Sequence, residues 1–474
     1  MFISYRMKKT ILAVFIILLF TTSYAQQYSL YNTKTLFDSF ENPSQKAFQP
    51  DSSRRFAFNF LIPSLGFNTA LGGPATKAFK RVLFDDLISS QGLTLGEHKT
   101  SRAFANLNTY LVMLRMYKSL DGNQELGLSW QLRSDNQLTF TNESIAIFDN
   151  FNLFDQDQLT DIFNDKAYSQ TYHQISLTYR KDYTRQLGVG FKISYLSGIA
   201  YNDAKVTRST LSIDKTADNF NLDLKGRFRA THLYDEGVDK KFFLPSFKNP
   251  GLGFSASFNY HLPEGWYILG NLKDIGFIKW NKKSYIYDVD RNISIQNASN
   301  RDADSRLNDE IIDYDYVYTN KEFITPTNGK AEFLINKNLG FYQPNLLLSK
   351  NLFYRGADIA LMNNFTYNKL NFGFSTVYNT SKILQVGSQF MIKSPNTEFY
   401  IGSDQLYKSI NEINALRKDD ESRFHGYPGA SFYIGFAAKF GYIIEQQPTA
   451  NRIAHFNTPS GFFARLLAKI GIRL

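Results

Sequence analysis

Residues 251–280 read GLGFSASFNYHLPEGWYILGNLKDIGFIKW, and the pattern of this stretch decides the fold. Leu252, Phe254, Ala256, Phe258 and Tyr260 share one face of an extended chain, and Gly253, Ser255, Ser257 and Asn259 share the other. His261–Gly265, with its Pro263 and Gly265, predicts a tight turn, and a second extended run follows at once. The hairpin therefore has one apolar face and one small or polar face. In a soluble sandwich the apolar face meets a second sheet; in a membrane barrel it meets lipid. Alternation weakens at Asp274–Gly276, which predicts a β-bulge, and Trp280 is expected at the outer rim.

Composition favours lipid. Aromatic residues make up 16% of the 474 residues, with 43 Phe and 29 Tyr, an excess that suits strands and interfacial girdles. No run of about 20 apolar residues occurs, so helical spans are excluded. Arg6, Lys8 and Lys9 precede an apolar run from Ile11 to Phe20 and small residues at Ser23 and Ala25, which predicts a signal peptide over 1–25, cleaved before Gln26. The absence of cysteine removes disulfides, thiolate metal sites and a lipoprotein anchor. The net charge of +10 in an exported chain suits an anionic lipid surface, and nucleic acid is not an expected partner.

Period-two runs return along the chain, joined alternately by short and long connections, as inner turns and outer loops would be. Asn219–Arg229 alternates most sharply, and the closing run Gly429–Phe440 places Phe432, Ile434, Phe436, Ala438 and Phe440 on one side. These runs predict an all-β fold: an antiparallel outer-membrane barrel of 14–16 strands over residues 55–440, with sixteen the preferred count. Residues 26–54 are polar and carry Pro43 and Pro50, which predicts an N-terminal plug or periplasmic segment. Residues 441–474 are expected to form a tail in which Ser460 can cap a short amphipathic helix. Its apolar stripe includes Phe463, Leu466 and Ile470, and its basic face carries Arg465, Lys469 and Arg473. That helix either lies on the inner leaflet or docks a periplasmic partner, or it folds back on the barrel mouth.

Leu262-Pro263-Glu264-Gly265-Trp266, the Asp-Ile-Gly-Phe-Ile-x-Trp run from Asp274 to Trp280, and Asn42-Pro43 near the start of the mature chain resemble the Bacteroidota outer-membrane proteins that carry domain of unknown function 5723. Ser44 stands where that group has Ala after Asn-Pro. The resemblance extends, more distantly, to fatty-acid-channel-type barrels and to barrels associated with type IX secretion and gliding. It implies a plugged barrel concerned with passage of a hydrophobic ligand or with partnering a secretion machine, and it carries over no site residue.

Catalytic chemistry finds no motif. Six histidines at 98, 173, 232, 261, 425 and 455 stand singly, and neither a Gly-x-Ser-x-Gly elbow nor a phosphate loop is present. No enzyme activity and no cofactor are expected. Asp302, Asp304, Asp313 and Asp315 have the oxygen-rich spacing of a weak Ca²⁺ candidate, and a solvated acidic loop is the favoured alternative. Parity places Arg180, Lys192, Asp223, Lys225, Arg227, Arg229 and Lys439 in the lumen, either as an aqueous path for anions or as a salt-bridged filling. The function expected is ligand passage or holding in the outer membrane, in contact with lipid or lipopolysaccharide. The alternative is a structural subunit of a secretion, gliding or surface-assembly complex that binds a periplasmic or secretion-complex protein.

Overall fold

The computed structural model describes residues 27–47, 54–85, 88–117, 123–231, 244–300, 302–312 and 318–443. In chain order the first half contains β1 (Arg54–Phe58), β2 (Ser64–Gly72), β3 (Thr100–Tyr117), β4 (Gln124–Thr141), β5 (Gln158–Thr160), β6 (Lys166–Asp182), β7 (Leu187–Asp214), β8 (Asn219–Ala230), β9 (Pro250–His261) and β10 (Trp266–Trp280). The second half contains β11 (Tyr285–Gln296), β12 (Thr319–Asn320), β13 (Phe323–Pro326), β14 (Lys330–Lys337), β15 (Tyr342–Asn351), β16 (Ala357–Tyr367), β17 (Leu370–Asn379), β18 (Leu384–Lys393), β19 (Thr397–Ser403) and β20 (Gly429–Ile443). Among the described residues five α-helices accompany them: α1 (Leu36–Glu41), α2 (Thr76–Asp85), α3 (Asn142–Asp149), α4 (Ala303–Ile312) and α5 (Leu406–Lys418).

The strands form a closed antiparallel barrel of 14 spans. The last strand, β20, pairs with β19 on one side and with β1 and β2 on the other, and this closes the sheet. The pairs β1 with β2 and β13 with β14 each supply one interrupted span, because both members of a pair add to the same neighbours.

The strands are inside out relative to a soluble protein. On β7 the outward Ile193 is 64% exposed while the adjacent Lys192 is 1% exposed, and on β6 Leu177 at 66% stands three residues from Arg180 at 1%. The opening hairpin does the same: Leu252, Phe254 and Phe258 are exposed, and Ser255, Ser257 and Asn259 are buried. An exposed apolar belt around a closed ladder belongs in hydrocarbon, where every backbone group has a partner and no edge remains. No helix among the described residues is long and apolar enough to cross a membrane.

The preferred count of sixteen is too high, and β7 shows why. It runs for 28 residues, but only Leu187–Ser197 pair with β9 in the wall; its distal half pairs with β8 instead. The sheet β7–β8–β11 thus rises beyond the barrel. Asn219–Arg229 alternates sharply because one face of β8 lies on an apolar core and the other faces water. Phe220 and Leu222 pack there with Leu211, Ile213, Ile293, Ile295 and residues of α3 and α4. Lipid and a loop core impose the same period, so parity alone could not separate a spanning strand from this one. Phe220→Ala is expected to cost about 3–5 kcal/mol locally. Amide exchange across β8 would report it, while heat-dependent gel migration of the barrel stays unchanged.

α5 seats on the outer end of β20, where Glu412 Oε1 accepts the Gly429 N–H at 2.6 Å. Burial pushes this carboxyl up to about 8, against the Gly429 amide, Lys408 and Lys80, which favour the charged form. With the folded value above the unfolded one, the buried neutral carboxyl contributes fully below about pH 4.5, and that contribution is lost as pH rises through about 8. Protease sensitivity of residues 404–428 is expected to increase over that window, and Glu412→Gln should flatten the dependence.

Candidate functional site

The lumen holds the N-terminal segment. Residues 27–47 lie within the barrel, and nearly all of them are buried, including polar Thr35, Asp38, Ser39, Glu41, Asn42 and Ser44. α1 starts at Thr35, whose side chain accepts the Asp38 N–H at 3.2 Å, and stops at Asn42 ahead of Pro43. Phe37 and Phe40 fill the space between Tyr110, Met113, Met391, Tyr400 and Tyr433 of the wall.

Four groups of wall residues grip this segment, largely by its main chain. The first is Arg115 of β3, paired with Glu125 of β4 at 3.2 Å with both side chains fully buried. Arg115 donates to the carbonyls of Ser39 at 2.6 Å, Pro43 at 3.2 Å and Gln45 at 3.3 Å, and Glu125 accepts the Ala47 N–H at 3.2 Å. The second lies around Ser44. Its carbonyl accepts from Arg180 Nε at 2.7 Å and Asn259 Nδ2 at 2.6 Å, and its N–H donates to Ser257 Oγ at 2.6 Å. Here the wall carries Gly190, and a Cβ at that position would overlap the Pro43 carbonyl and the Ser44 nitrogen. The third is Lys439 with Glu398, paired at 2.6 Å and both buried; Glu398 accepts the Leu36 N–H at 2.9 Å. Lys393 Nζ beside them donates to the Thr33 and Lys34 carbonyls.

The fourth is the bulge on β10. The register with β9 slips between Leu272 and Ile275, and Asp274 takes φ 51°, a left-handed conformation that Asp tolerates better than most residues. Lys273 and Asp274, adjacent in sequence, are therefore both turned inward and buried. Lys273 pairs with Glu41 of α1, whose Oε1 also accepts from Tyr110 OH at 2.7 Å and Asn108 Nδ2 at 3.1 Å. Asn271 Nδ2 reaches the Glu41 carbonyl, Asn42 Oδ1 and Glu332 Oε2. Asp274 pairs with Arg133 and with Lys192 at 2.8 Å, and Lys192 Nζ donates to the Phe40 carbonyl at 3.3 Å. The bulge also inverts the parity beyond it, so that Trp280 points into the lumen against Tyr201 instead of marking the lipid rim.

The structure divides the charged residues assigned to the lumen. Arg180, Lys192 and Lys439 line the barrel, each ion-paired. Asp223, Lys225, Arg227 and Arg229 belong to β8 outside the barrel, and their lumenal assignment is corrected. Lys225 pairs with Asp290 at 2.7 Å and Arg227 with Asp288 at 2.6 Å across the exposed face, Asp223 pairs with Arg208, and Arg229 pairs with Asp203 at 2.8 Å beneath Tyr201 and Phe323. Parity had no means of telling an upper sheet from the wall. Of the calcium candidates, Asp302 pairs with Arg306 at 3.4 Å, Asp304 lies in α4, and Asp313 and Asp315 fall outside the described residues. The signal peptide and the C-terminal helix carrying Phe463, Arg465, Leu466, Lys469, Ile470 and Arg473 also fall outside them.

Sequence reasoning reached Asp274 only as a break in alternation, and it missed Glu41, Arg115, Glu125, Arg133, Lys273 and Glu398. Their signal was a charge at inward parity, as in Asn271-Leu272-Lys273; apart from Arg115 and Glu125, which face each other across one hairpin, their partners lie too far apart in sequence to be paired from it.

A closed ladder, an apolar exterior and a polar lumen filled by the chain's own N-terminus define a plugged transmembrane β-barrel. Residues 47–404 match the model of the family of unknown function DUF5723, and the chain belongs to that family. A search of curated proteins gives no match. Among solved structures the chain is similar to a deletion mutant of the TodX monoaromatic hydrocarbon channel, with 8% identity, TM-score 0.43, and 85% of this chain and 94% of that one covered. It is also similar to a Pseudomonas aeruginosa FadL homologue at 9% identity and TM-score 0.40, covering 88% and 96%. The Ralstonia pickettii toluene transporter TbuX gives 8% identity and TM-score 0.36, covering 82% and 90%.

Proposed function

We propose that this chain is a non-enzymatic outer-membrane barrel for ligand passage, shut at rest by residues 27–47. The observation that carries this reading is how the segment is held: wall side chains clasp its main chain, and the wall is reduced to Gly190 and Ser257 where Pro43 and Ser44 lie. A barrel of this girth is wider than its own side chains can fill. With the segment displaced, the remaining wall is a polar passage of serines, asparagines and ion pairs. Cleavage before Gln26 would make this segment the mature N-terminus, and mass spectrometry of the purified protein is expected to find Gln26 or its cyclised form at the start. The passage reading is tested by solute uptake into proteoliposomes: the wild type should be tight, and a variant with its plug dislodged should admit small polar solutes. A dislodged plug with no uptake would remove it.

The outer sheet favours a second reading, a structural subunit of a secretion or surface-assembly complex, because β7, β8 and β11 present a broad charged face on a core of their own. Stoichiometric co-purification of another protein with a barrel that stays tight in every variant would favour it.

A further inference from the structure

Beside the plug lies an open recess lined by Tyr28 of the N-terminal segment and by residues of β2–β4 and β14–β18. Its lining mixes amides and hydroxyls, among them Asn68, Gln137, Asn351 and Thr380, with apolar surface. Two of the amides are unmatched. Asn106 lines the recess and is fully buried, and the Asn136 N–H donates to its Oδ1 at 3.1 Å, so Nδ2 is left without a partner among the described residues. On β18 Gln385, 2% exposed, likewise leaves Nε2 without a partner among the described residues. A buried donor left unmade costs about 1–3 kcal/mol, so two of them at one recess point to acceptor atoms that arrive from outside.

The charges agree with this. Three cations line the recess, Arg102, Lys330 and Arg355, against one carboxylate, Asp358. Lys330 and Asp358 attract each other, Arg102 donates to the Thr380 carbonyl at 3.2 Å, and Arg355 is exposed. We propose that this recess binds an acidic sugar, a polyhydroxylated ring bearing a carboxylate, free or at the end of a glycan. The carboxylate meets Arg355 and Arg102, and the ring oxygens accept from Asn106 Nδ2 and Gln385 Nε2. This rests on the passage reading, since it names what the passage would admit.

The test is calorimetric titration of the full-length protein in detergent with sodium glucuronate, glucose and sodium acetate. Glucuronate is expected to bind saturably, with glucose and acetate each weaker by about tenfold or more, because each lacks one half of the matched groups. Arg355→Met and Gln385→Leu should each weaken glucuronate by about tenfold. Arg355 is exposed, so its loss leaves the barrel folded, and heat-dependent gel migration checks both variants. No binding of glucuronate, equal binding of glucose or acetate, or wild-type affinity in both variants would overturn the proposal. Currents through a plug-dislodged barrel are read separately: if they appear while glucuronate fails to bind, the sugar is wrong and the passage stands, and if both fail, both readings fall.

Discussion

Gly190→Val is expected to expel the plug. The added side chain would occupy the space of the Pro43 carbonyl and the Ser44 nitrogen, and these are main-chain atoms that cannot rotate aside. Overpacking against side chains costs about 1–3 kcal/mol, and against a clamped backbone the cost is at the upper end or beyond. The loss spreads, because Arg180, Asn259 and Ser257 all bind Ser44 and would lose it together. The barrel ladder is untouched, since Gly190 already pairs within the wall and valine suits a strand. Trypsin should then cut after Lys46, where the wild type resists, while the heat-dependent gel shift is retained. Protection of Lys46 in the variant would mean that the wall yields instead.

Asp274→Ala is expected to be the most destabilising single change in the wall. Asp274 pairs with both Arg133 and Lys192, and its removal takes the ion-pair partner from two buried cations at once. Breaking a buried pair costs about 3–5 kcal/mol because the surviving charge remains desolvated. Alanine adds strain at φ 51°. Asp274→Asn separates the two effects, since asparagine tolerates this backbone and retains hydrogen-bonding capacity while losing the charge. Urea unfolding in lipid vesicles should therefore rank the wild type above Asp274→Asn, and Asp274→Ala lowest. Equal stability of all three would show that the cluster is solvated and the bulge incidental.

The opening hairpin shows how far the sequence reaches. Its parity predicted the exposed Leu252, Phe254 and Phe258, and its broken alternation marked the bulge at Asp274, because a residue inserted into one strand must disturb a period of two. The bulge was legible as a place of contact, but the residues it contacts were not. Glu41 lies in the plug helix, Arg133 on β4 and Lys192 on β7, and only the folded barrel brings them beside it. The same limit explains β8: Asn219–Arg229 carries a cleaner alternation than most of the wall and yet lies outside it. Alternation reports that two faces differ and not what covers either one. Trp280 was misplaced for a simpler reason, since every residue after an inserted one changes face.

The claim that the N-terminal segment is the seal is tested most directly by single-channel recording in planar bilayers, wild type beside Gly190→Val. The account predicts a silent wild type and stepwise currents in the variant, with trypsin removing residues 27–46 without abolishing them. Currents of equal size in both proteins, or silence in a variant whose Lys46 is cut, would contradict it.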